Sequence, residues 1–196
     1  MASPSTSSVD AFGLLGLQPR FDVDRDVLER AFFERSKELH PDRFAQAPAS
    51  ERVVALSRSR ALNDAYQVLK REVSRAEYLL GREGLTIGDN ERIDPELVME
   101  LLEEREALAE ARQANQLAEI ERMQQSMRDR RTAALARVKE LFAAFDASGG
   151  ALPASPVGGA QAPGIDRGEL AAIKQQLILL RYVERYLEEC DSALEE

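Results

Sequence analysis

The apolar positions of the first eighty residues predict a series of helices. DAFGLLGL at residues 10–17 begins at Asp10, a good N-cap residue, and is followed by a Gln-Pro turn. From Asp24 to Leu39 the apolar side chains fall largely on one face at about 100° per residue. A longer helix is predicted to start at Ser50 and to run to about residue 70 or beyond. Its predicted buried side contains Leu56, Leu62, Ala65, Tyr66 and Leu69.

The second half of the chain is also predicted to be helical. Asp94 and Pro95 form a good helix start, and this helix is expected to reach about Arg112. Two further helices are expected, from about residue 115 to 146 and from 166 to 193. Three long helices with no strand signal predict an antiparallel three-helix bundle, and hence an all-α protein.

Glycine and proline mark the breaks between these helical regions. Glycines at 81, 84 and 88 predict a linker over residues 81–93, between one domain at 9–80 and another at 94–196. Residues 147–164 are rich in Gly, Pro, Ala and Ser and cannot build a core, so they are predicted to form a flexible loop.

Composition and charge exclude several classes of function. A net charge of −9 argues against a nucleic-acid partner, which requires a concentrated basic surface. The single cysteine, Cys190, excludes an internal disulfide and any cysteine-rich metal cage, so we expect a reducing compartment, the cytoplasm. No signal peptide is visible, and no apolar run approaches the roughly 20 residues that a membrane span needs.

The only histidine of the chain lies in KELHPDRF, directly after the second predicted helix. Pro41 must end that helix and stiffens the turn after it, and the carboxylate of Asp42 can accept a charge-assisted bond from an arginine of a partner. Two other interpretations stay open on spacing alone. His40 can simply interact with the last carbonyls of the helix, with Asp42 as a turn residue. Acid-base catalysis by the pair is the weaker alternative, since no nucleophile or metal site accompanies it.

The His-Pro-Asp triplet between two amphipathic helices, after a short helix containing LLGL, resembles the J-domain of the DnaJ superfamily. HPDRF, ALNDAYQVL and SRAEYLL, with a helical C-terminal half of this size, resemble the HscB family of iron-sulfur cluster co-chaperones over nearly the whole chain. The resemblance implies a J-domain that binds a DnaK/HscA-type ATPase chaperone and a C-terminal bundle that binds an IscU-type scaffold protein. It implies neither catalytic residues nor a cofactor, and the zinc-binding cysteine pairs of some eukaryotic members are absent.

The resemblance assigns chaperone binding to the triplet and to basic residues around it. Arg30 and Lys37 project roughly together from the second helix, opposite its apolar stripe. Such charges steer encounter, although a mixed solvated face is the simpler interpretation of each residue taken singly. The predicted chaperone-binding residues are His40, Pro41, Asp42, Arg30, Lys37 and Arg43.

The helix that begins at Pro95 has two apolar stripes. Leu97, Leu101 and Leu108 line one face, and a second face lies roughly 120 to 150° away with an acidic edge. The second stripe is either additional core or an exposed recognition surface. By position it matches the scaffold-binding patch of the family, and Tyr182 matches the aromatic member of that patch. The predicted scaffold-binding residues are Val98, Met99, Leu102, Glu103, Glu106 and Tyr182.

These observations predict an adaptor that performs no covalent chemistry. It is expected to bring a cluster-loaded scaffold to a chaperone and to stimulate ATP hydrolysis by that chaperone. A J-domain protein for a different client, and a purely structural helical protein in which the triplet is incidental, are the alternatives.

Overall fold

The computed structural model of the chain describes residues 10–88, 95–147 and 167–195. These residues form seven α-helices and one short 3-10 helix at Pro41–Phe44, without a strand, so the predicted all-α class is confirmed. The α-helices are α1 Ala11–Leu15, α2 Arg25–Glu38, α3 Ala49–Lys70, α4 Glu72–Arg82, α5 Pro95–Gln113, α6 Leu117–Ala147 and α7 Arg167–Glu195. Apart from Ala147, the last residue of α6, the loop predicted at 147–164 lies outside the described residues.

The described residues form two compact units that divide after Leu85. The first contains α1 to α4 and the second contains α5 to α7. Helix α4 continues to Arg82, so the helical part of the first unit reaches two residues into the segment predicted as a linker, 81–93. Residues 89–94 of that segment, and residue 9 at the start of the predicted first domain, lie outside the described residues.

Aspartate side chains cap the first two helices, as predicted for Asp10. Asp10 accepts a hydrogen bond at Oδ2 from the backbone N–H of Gly13, at 3.1 Å. Asp24 accepts at Oδ1 from the N–H groups of Asp26 and Val27, at 2.8 and 3.0 Å. These bonds satisfy amides that have no partner within the helix. Helix α1 ends at Gly16, whose φ of 70° is the left-handed conformation that glycine adopts without strain.

Helix α3 differs from its prediction at the start and on one face. It begins at Ala49 after Pro48, so the prediction of Ser50 as the N-cap is wrong. Leu56 is also not buried, because 63% of it is exposed, and Ala55 is buried in its place. Seven residues are close to two helical turns, so Ala55 aligns with Leu62 and Leu69, while Leu56 is rotated from that line by about 100°. The other predicted buried residues of α3 are confirmed.

Polar side chains of α4 anchor the start of α1 to the rest of the first unit. The hydroxyl of Tyr78 accepts a bond from the N–H of Ala11 at 2.8 Å and donates to Oδ1 of Asp10 at 3.0 Å. Asp10 also forms an ion pair with the buried Arg82. Arg75 donates to the carbonyl oxygen of Leu69 at 2.7 Å, where the chain passes from α3 to α4. The segment SRAEYLL therefore carries both the apolar core side of α4 and the contacts that fix α1.

Helices α2 and α3 form the hairpin that carries the His-Pro-Asp triplet. The ring of Phe32 on α2 stacks on that of Tyr66 on α3, with centroids 4.3 Å apart. Leu28 and Leu62 are almost fully buried in the same unit. These apolar contacts hold the two helices together, so the segment between them is presented at one end of a rigid pair.

In the second unit, α6 runs antiparallel to both α5 and α7. Arg130 of α6 pairs with Glu100 near the start of α5, while Ile120, near the start of α6, shares a buried cluster with Leu108 and Ala111 near the end of α5. Arg131 pairs with Glu184, and residues earlier on α6 contact residues later on α7. The arrangement agrees with an antiparallel three-helix bundle. None of the described helices is apolar over a length sufficient to cross a bilayer.

Candidate functional site

The His-Pro-Asp loop, residues 40–42, is a short structured turn. His40 is extended, with φ −61° and ψ 130°, and forms the N-cap of the 3-10 helix that begins at Pro41. Its Nδ1 accepts a hydrogen bond from the N–H of Asp42 at 3.3 Å, which in the neutral ring leaves the proton on Nε2. The observed bond of the ring is therefore to the 3-10 turn, and not to the last carbonyls of α2. A single Asp42 amide thus orients the imidazole.

The carboxylate of Asp42 is the most exposed charge of this loop. Its side chain is 90% exposed, and its Oδ2 lies 3.5 Å from Nδ1 of His40. The N–H of Arg43 donates to the carbonyl oxygen of His40 at 3.0 Å, which closes the turn. Because Pro41 and the turn restrict the backbone around Asp42, the carboxylate projects into solvent from a defined position, where it can accept a charge-assisted bond.

Arg30, Lys37 and Arg43 are all exposed, as predicted for a basic surface near the loop. The acidic residues interleaved with them are partly neutralised. Glu29 pairs with Arg25 at 2.9 Å and Glu38 pairs with Arg35 at 3.3 Å. These pairs engage two arginines together with two carboxylates, so the net charge of α2 is unchanged, and Arg30 and Lys37 are the cations of the helix without a carboxylate at ion-pair distance among those contacts.

Two features beside the loop were not predicted. Phe33 is an exposed ring on α2, with Nζ of Lys37 only 4.1 Å from the ring centroid. The spacing i, i+4 of an aromatic and a lysine was the available signal. A pocket of about 350 Å³ also opens next to the loop. It is lined by Leu39, Phe44, Ser50, Glu51, Val54, Ala55 and Arg58, which come from three elements and so could not be grouped by sequence spacing.

The second predicted surface lies on α5. We call Val98, Met99, Leu102, Glu103 and Glu106 the α5 patch. Met99 and Leu102 are 58% and 50% exposed, Val98 is half-buried, and both glutamates are exposed. Leu101 and Leu108 of the other stripe are buried. The alternative in which both stripes belong to the core is therefore wrong for Met99 and Leu102.

Tyr182 lies on α7 at the level of the α5 patch. The hydroxyl of Tyr186 donates to the carbonyl oxygen of Glu104 at 3.0 Å, so that side of α7 faces α5. Tyr182 is one turn earlier on the same side, and α5 and α7 run in the same direction. Its ring is 41% exposed. The structure thus brings an aromatic residue from a distant part of the sequence to the same end of the bundle as Met99 and Leu102.

Ion pairs that the sequence analysis did not identify hold α5 in place. Arg130 of α6 contacts both oxygens of Glu100, at 3.0 and 2.9 Å, and Oε1 of Glu104 at 3.2 Å. On the other flank, Arg105 pairs with Glu189 of α7 at 2.7 Å. Opposite charges on separate helices give no signal until the helices are docked, because their sequence separations follow no helical period.

Cys190 is a core residue of the second unit. It is fully buried in the cluster with Val183, Tyr186 and Leu108, and burial raises the pKa of its thiol to about 11. A thiol with this pKa contains almost no thiolate at neutral pH, and thiolate is the form that binds metals. The described part of the chain contains no group of three or more His, Cys, Asp or Glu side chains placed to hold a metal ion.

Two family models match the two halves of the chain. The model described as DnaJ domain matches residues 10–78, and the one described as HSCB C-terminal oligomerisation domain matches residues 93–191. A co-chaperone protein HscB homolog from Azoarcus sp. strain BH72 is 31% identical over 188 residues, which cover 95% of this chain and 94% of that protein. The chain belongs to the HscB family of co-chaperones.

Other HscB relatives agree with this assignment. A homolog from Neisseria meningitidis serogroup C is 36% identical over 137 residues, 69% of this chain and 82% of the relative. One from Vibrio vulnificus is 46% identical over 101 residues, and the match spans 50% of this chain and 59% of the relative. The chain thus spans about three-fifths of the length of that relative.

Solved HscB structures have the same fold. The chaperone HscB from Vibrio cholerae superposes with a TM-score of 0.73 at 26% identity, covering 95% of this chain and 98% of its own. Human co-chaperone protein HscB superposes with a TM-score of 0.75 at 22% identity, covering 97% of this chain and 83% of its own. At this identity the likeness shows the fold alone. Membership gives this chain a DnaJ domain and the C-terminal domain of the HscB family, whose relatives are described as co-chaperones.

Proposed function

We propose that this HscB-family chain stimulates the ATPase of a DnaK/HscA-type chaperone through its His-Pro-Asp loop, and delivers to it an IscU-type scaffold protein bound at the α5 patch and Tyr182. The observation that carries the proposal is the presence of two exposed surfaces of different chemistry in one chain. One is a charged, structured turn of a J-domain. The other is an apolar surface with an acidic edge in the family-specific half.

On the chaperone side, the loop supplies an exposed carboxylate on a structured turn, with basic residues on α2 and in the loop. Asp42 accepts a charge-assisted bond from an arginine of the ATPase, and His40, protonated at Nε2, supplies a donor beside it. Arg30, Lys37 and Arg43 are exposed and steer the encounter with an acidic surface of the chaperone. The chain makes no covalent change itself, and the energy of the cycle comes from ATP hydrolysis by the partner.

On the scaffold side, the contact is mainly apolar. Met99, Leu102 and Tyr182 provide side chains that lose water when a partner covers them, and such residues dominate the free energy of many interfaces. Glu103 and Glu106 are exposed at the edge, where they favour a partner with basic residues around an apolar spot. The iron-sulfur cluster is cargo of the scaffold in this scheme, and no residue of this chain is assigned to it.

Joining the two sites in one chain couples the two partners. A scaffold bound to the second unit meets the chaperone at an effective concentration set by the chain and not by the bulk solution. Stimulation of ATP hydrolysis and capture of the scaffold by the chaperone are then favoured together. This coupling requires no contact between the two partner-binding surfaces.

Steady-state ATPase assays with and without the scaffold test the proposal. We expect the chain to stimulate a DnaK/HscA-type ATPase by itself, and to stimulate it further and at lower concentration when an IscU-type scaffold is present. Stimulation without any effect of the scaffold, together with no binding in calorimetric titration, would assign the bundle to a different client. Absence of stimulation would reject the J-domain function and leave a structural helical protein.

A further inference from the structure

The half of α5 that carries the patch is weakly anchored by apolar contacts. Between Pro95 and Arg105 the only buried residue is Leu101, and the next buried positions, Leu108 and Ala111, lie two turns or more further along. Leu97 and Val98 are half-buried. Helices in proteins are stabilised mainly by tertiary packing, so a segment with a single buried leucine gains little from the core. Other contacts must determine how this part of α5 is rotated.

Arg130 provides the largest set of such contacts. Its guanidinium binds Glu100 through two parallel bonds of 3.0 and 2.9 Å, and it reaches Glu104, one turn later, at 3.2 Å. The side chain of Arg130 is 24% exposed, against 52% for Arg105 on the opposite flank. A bidentate bond restrains direction as well as distance, and partial burial reduces its screening by salt. Arg130 is thus the group best placed to fix α5 against α6.

Glu104 shows why the rotation of α5 depends on this arginine. Its Oε2 is buried and has no hydrogen-bond partner, and burial raises the pKa of its carboxyl, an effect that Arg130 opposes. Without Arg130, the carboxylate would have to take up a proton or turn toward water. A half-buried charge that loses its counterion costs considerable free energy, and Arg130 is the cation that pairs with Glu104 among the described residues. If the helix rotates to bring Glu104 to water, every side chain of the α5 patch rotates with it.

We propose that Arg130 is a positioning residue for scaffold binding: it holds Glu100 and Glu104 against α6 and thereby keeps Met99 and Leu102 turned outward. The same contact divides the carboxylates of α5 into two sets. Glu100 and Glu104 are engaged by Arg130, whereas Glu103 and Glu106 have no cation at ion-pair distance within the described residues. This inference rests on the proposed function, since it assigns Arg130 to the same binding surface.

Arg131 provides a matched control in the next position of the helix. It is also an arginine of α6 that pairs with a glutamate of another helix, Glu184 of α7, at 3.3 Å, and its side chain is 36% exposed. Arg131→Gln removes the same charge and one interhelical ion pair, but its observed partner is not on α5. Arg130→Lys keeps the positive charge but loses the planar guanidinium that binds both carboxylate oxygens of Glu100.

Calorimetric titration of the full chain with an IscU-type scaffold, well below the thermal transition, measures the effect. We expect Arg130→Gln to weaken binding by roughly fivefold to tenfold, less than loss of a contacting side chain would. Arg130→Lys should weaken scaffold binding by less than Arg130→Gln does. The scaffold affinity of Arg131→Gln should stay within about twofold of the wild type. ATPase stimulation without scaffold should be unchanged in all three variants.

Hydrogen exchange of the α5 amides gives a second measurement that needs no scaffold. Exchange over residues 98–106 should become faster in Arg130→Gln and stay unchanged in Arg131→Gln. Equal losses of affinity in both glutamine variants, or tighter binding in Arg130→Gln, would overturn the inference, because a simple increase in acidity strengthens binding to a basic partner. A wild-type chain that binds no scaffold would instead reject the proposed function, and unchanged exchange in Arg130→Gln would reject the positioning role by itself.

Discussion

The His-Pro-Asp loop and the α5 patch differ in how the chain builds them. The loop consists of three consecutive residues whose geometry is set by a proline and by the hydrogen bonds that the N–H groups of Asp42 and Arg43 donate to His40. The α5 patch depends on which side of a helix faces outward, and its aromatic neighbour, Tyr182, is some eighty residues further along the chain. A local site can therefore keep its shape when its surroundings change, whereas a surface made from two helices depends on their docking.

Removing the apolar side chains of the second surface should have the largest effect. The triple change Met99→Ala, Leu102→Ala and Tyr182→Ala should weaken scaffold binding by about 100-fold or more, because each truncation at an interface hot spot costs about 1 to 2 kcal/mol. Thermal unfolding should be nearly unchanged, since all three side chains are at least two-fifths exposed. ATPase stimulation without scaffold should persist. Calorimetric titration and a thermal melt of the full chain measure the two quantities.

Two leucines serve as controls for the triple variant. Leu117→Ala removes a similarly exposed leucine of α6, 47% exposed, and should leave scaffold affinity unchanged. Leu101→Ala removes the buried neighbour of Leu102 and should cost about 2 to 5 kcal/mol of stability. If the triple variant melted as the Leu101 variant does, the exposed stripe would have to be reassigned to the core.

Changes in the His-Pro-Asp loop should act on the chaperone alone. Asp42→Asn removes one negative charge at nearly constant shape, and His40→Gln removes the imidazole. Each should lower ATPase stimulation by about tenfold or more, because a charge-assisted bond contributes about 1.5 to 3 kcal/mol. Scaffold affinity and circular dichroism should match the wild type. Glu34→Gln, an equivalent loss of charge on exposed α2, is the control; stimulation retained in both loop variants would contradict the J-domain assignment.

Salt concentration should affect the two binding surfaces differently, with a smaller effect than the substitutions have. In the proposed function Arg30, Lys37 and Arg43 steer the chaperone contact, and exposed charges are screened within about 8 Å at physiological ionic strength. We expect the concentration for half-maximal ATPase stimulation to rise roughly threefold to tenfold between low and high salt. Scaffold affinity should change less, since apolar burial dominates there. An equal salt dependence at both surfaces would remove this distinction.

The smallest effect is expected from alkaline pH acting on the core of the second unit. Burial raises the pKa of Cys190 from its usual 9 to about 11, so the unfolded chain loses this proton first as pH rises. The stabilisation from the neutral thiol is present below pH 9 and is lost as pH rises through 11. Thermal melts across this range should fall less steeply for Cys190→Ala than for the wild type. Parallel curves would show that the thiol does not contribute.

Much of the first unit could be predicted from sequence because its signals are local. Asp10 and Asp24 cap helices through bonds to residues two or three positions away, and Pro41 ends α2 for steric reasons. Leu56 shows the limit of this reasoning. Leu56 lies six residues before Leu62 and was expected on the same face, but Ala55, seven residues before Leu62, is buried there instead. The engagement of Asp10 by Tyr78 and Arg82 had no local signal either, since the partners are about seventy residues apart.

By itself, the sequence determined the helical class, the positions of the long helices, the His-Pro-Asp turn and the two stripes of α5, because periodicity and capping act within a few residues. Only the tertiary structure decided which stripe of α5 is exposed, that Tyr182 lies at its level, and that Arg130 holds Glu100 and Glu104. These features arise when separate helices dock. A helix with apolar residues on two sides can bury either one, and the choice depends on which faces of the neighbouring helices are available to cover it.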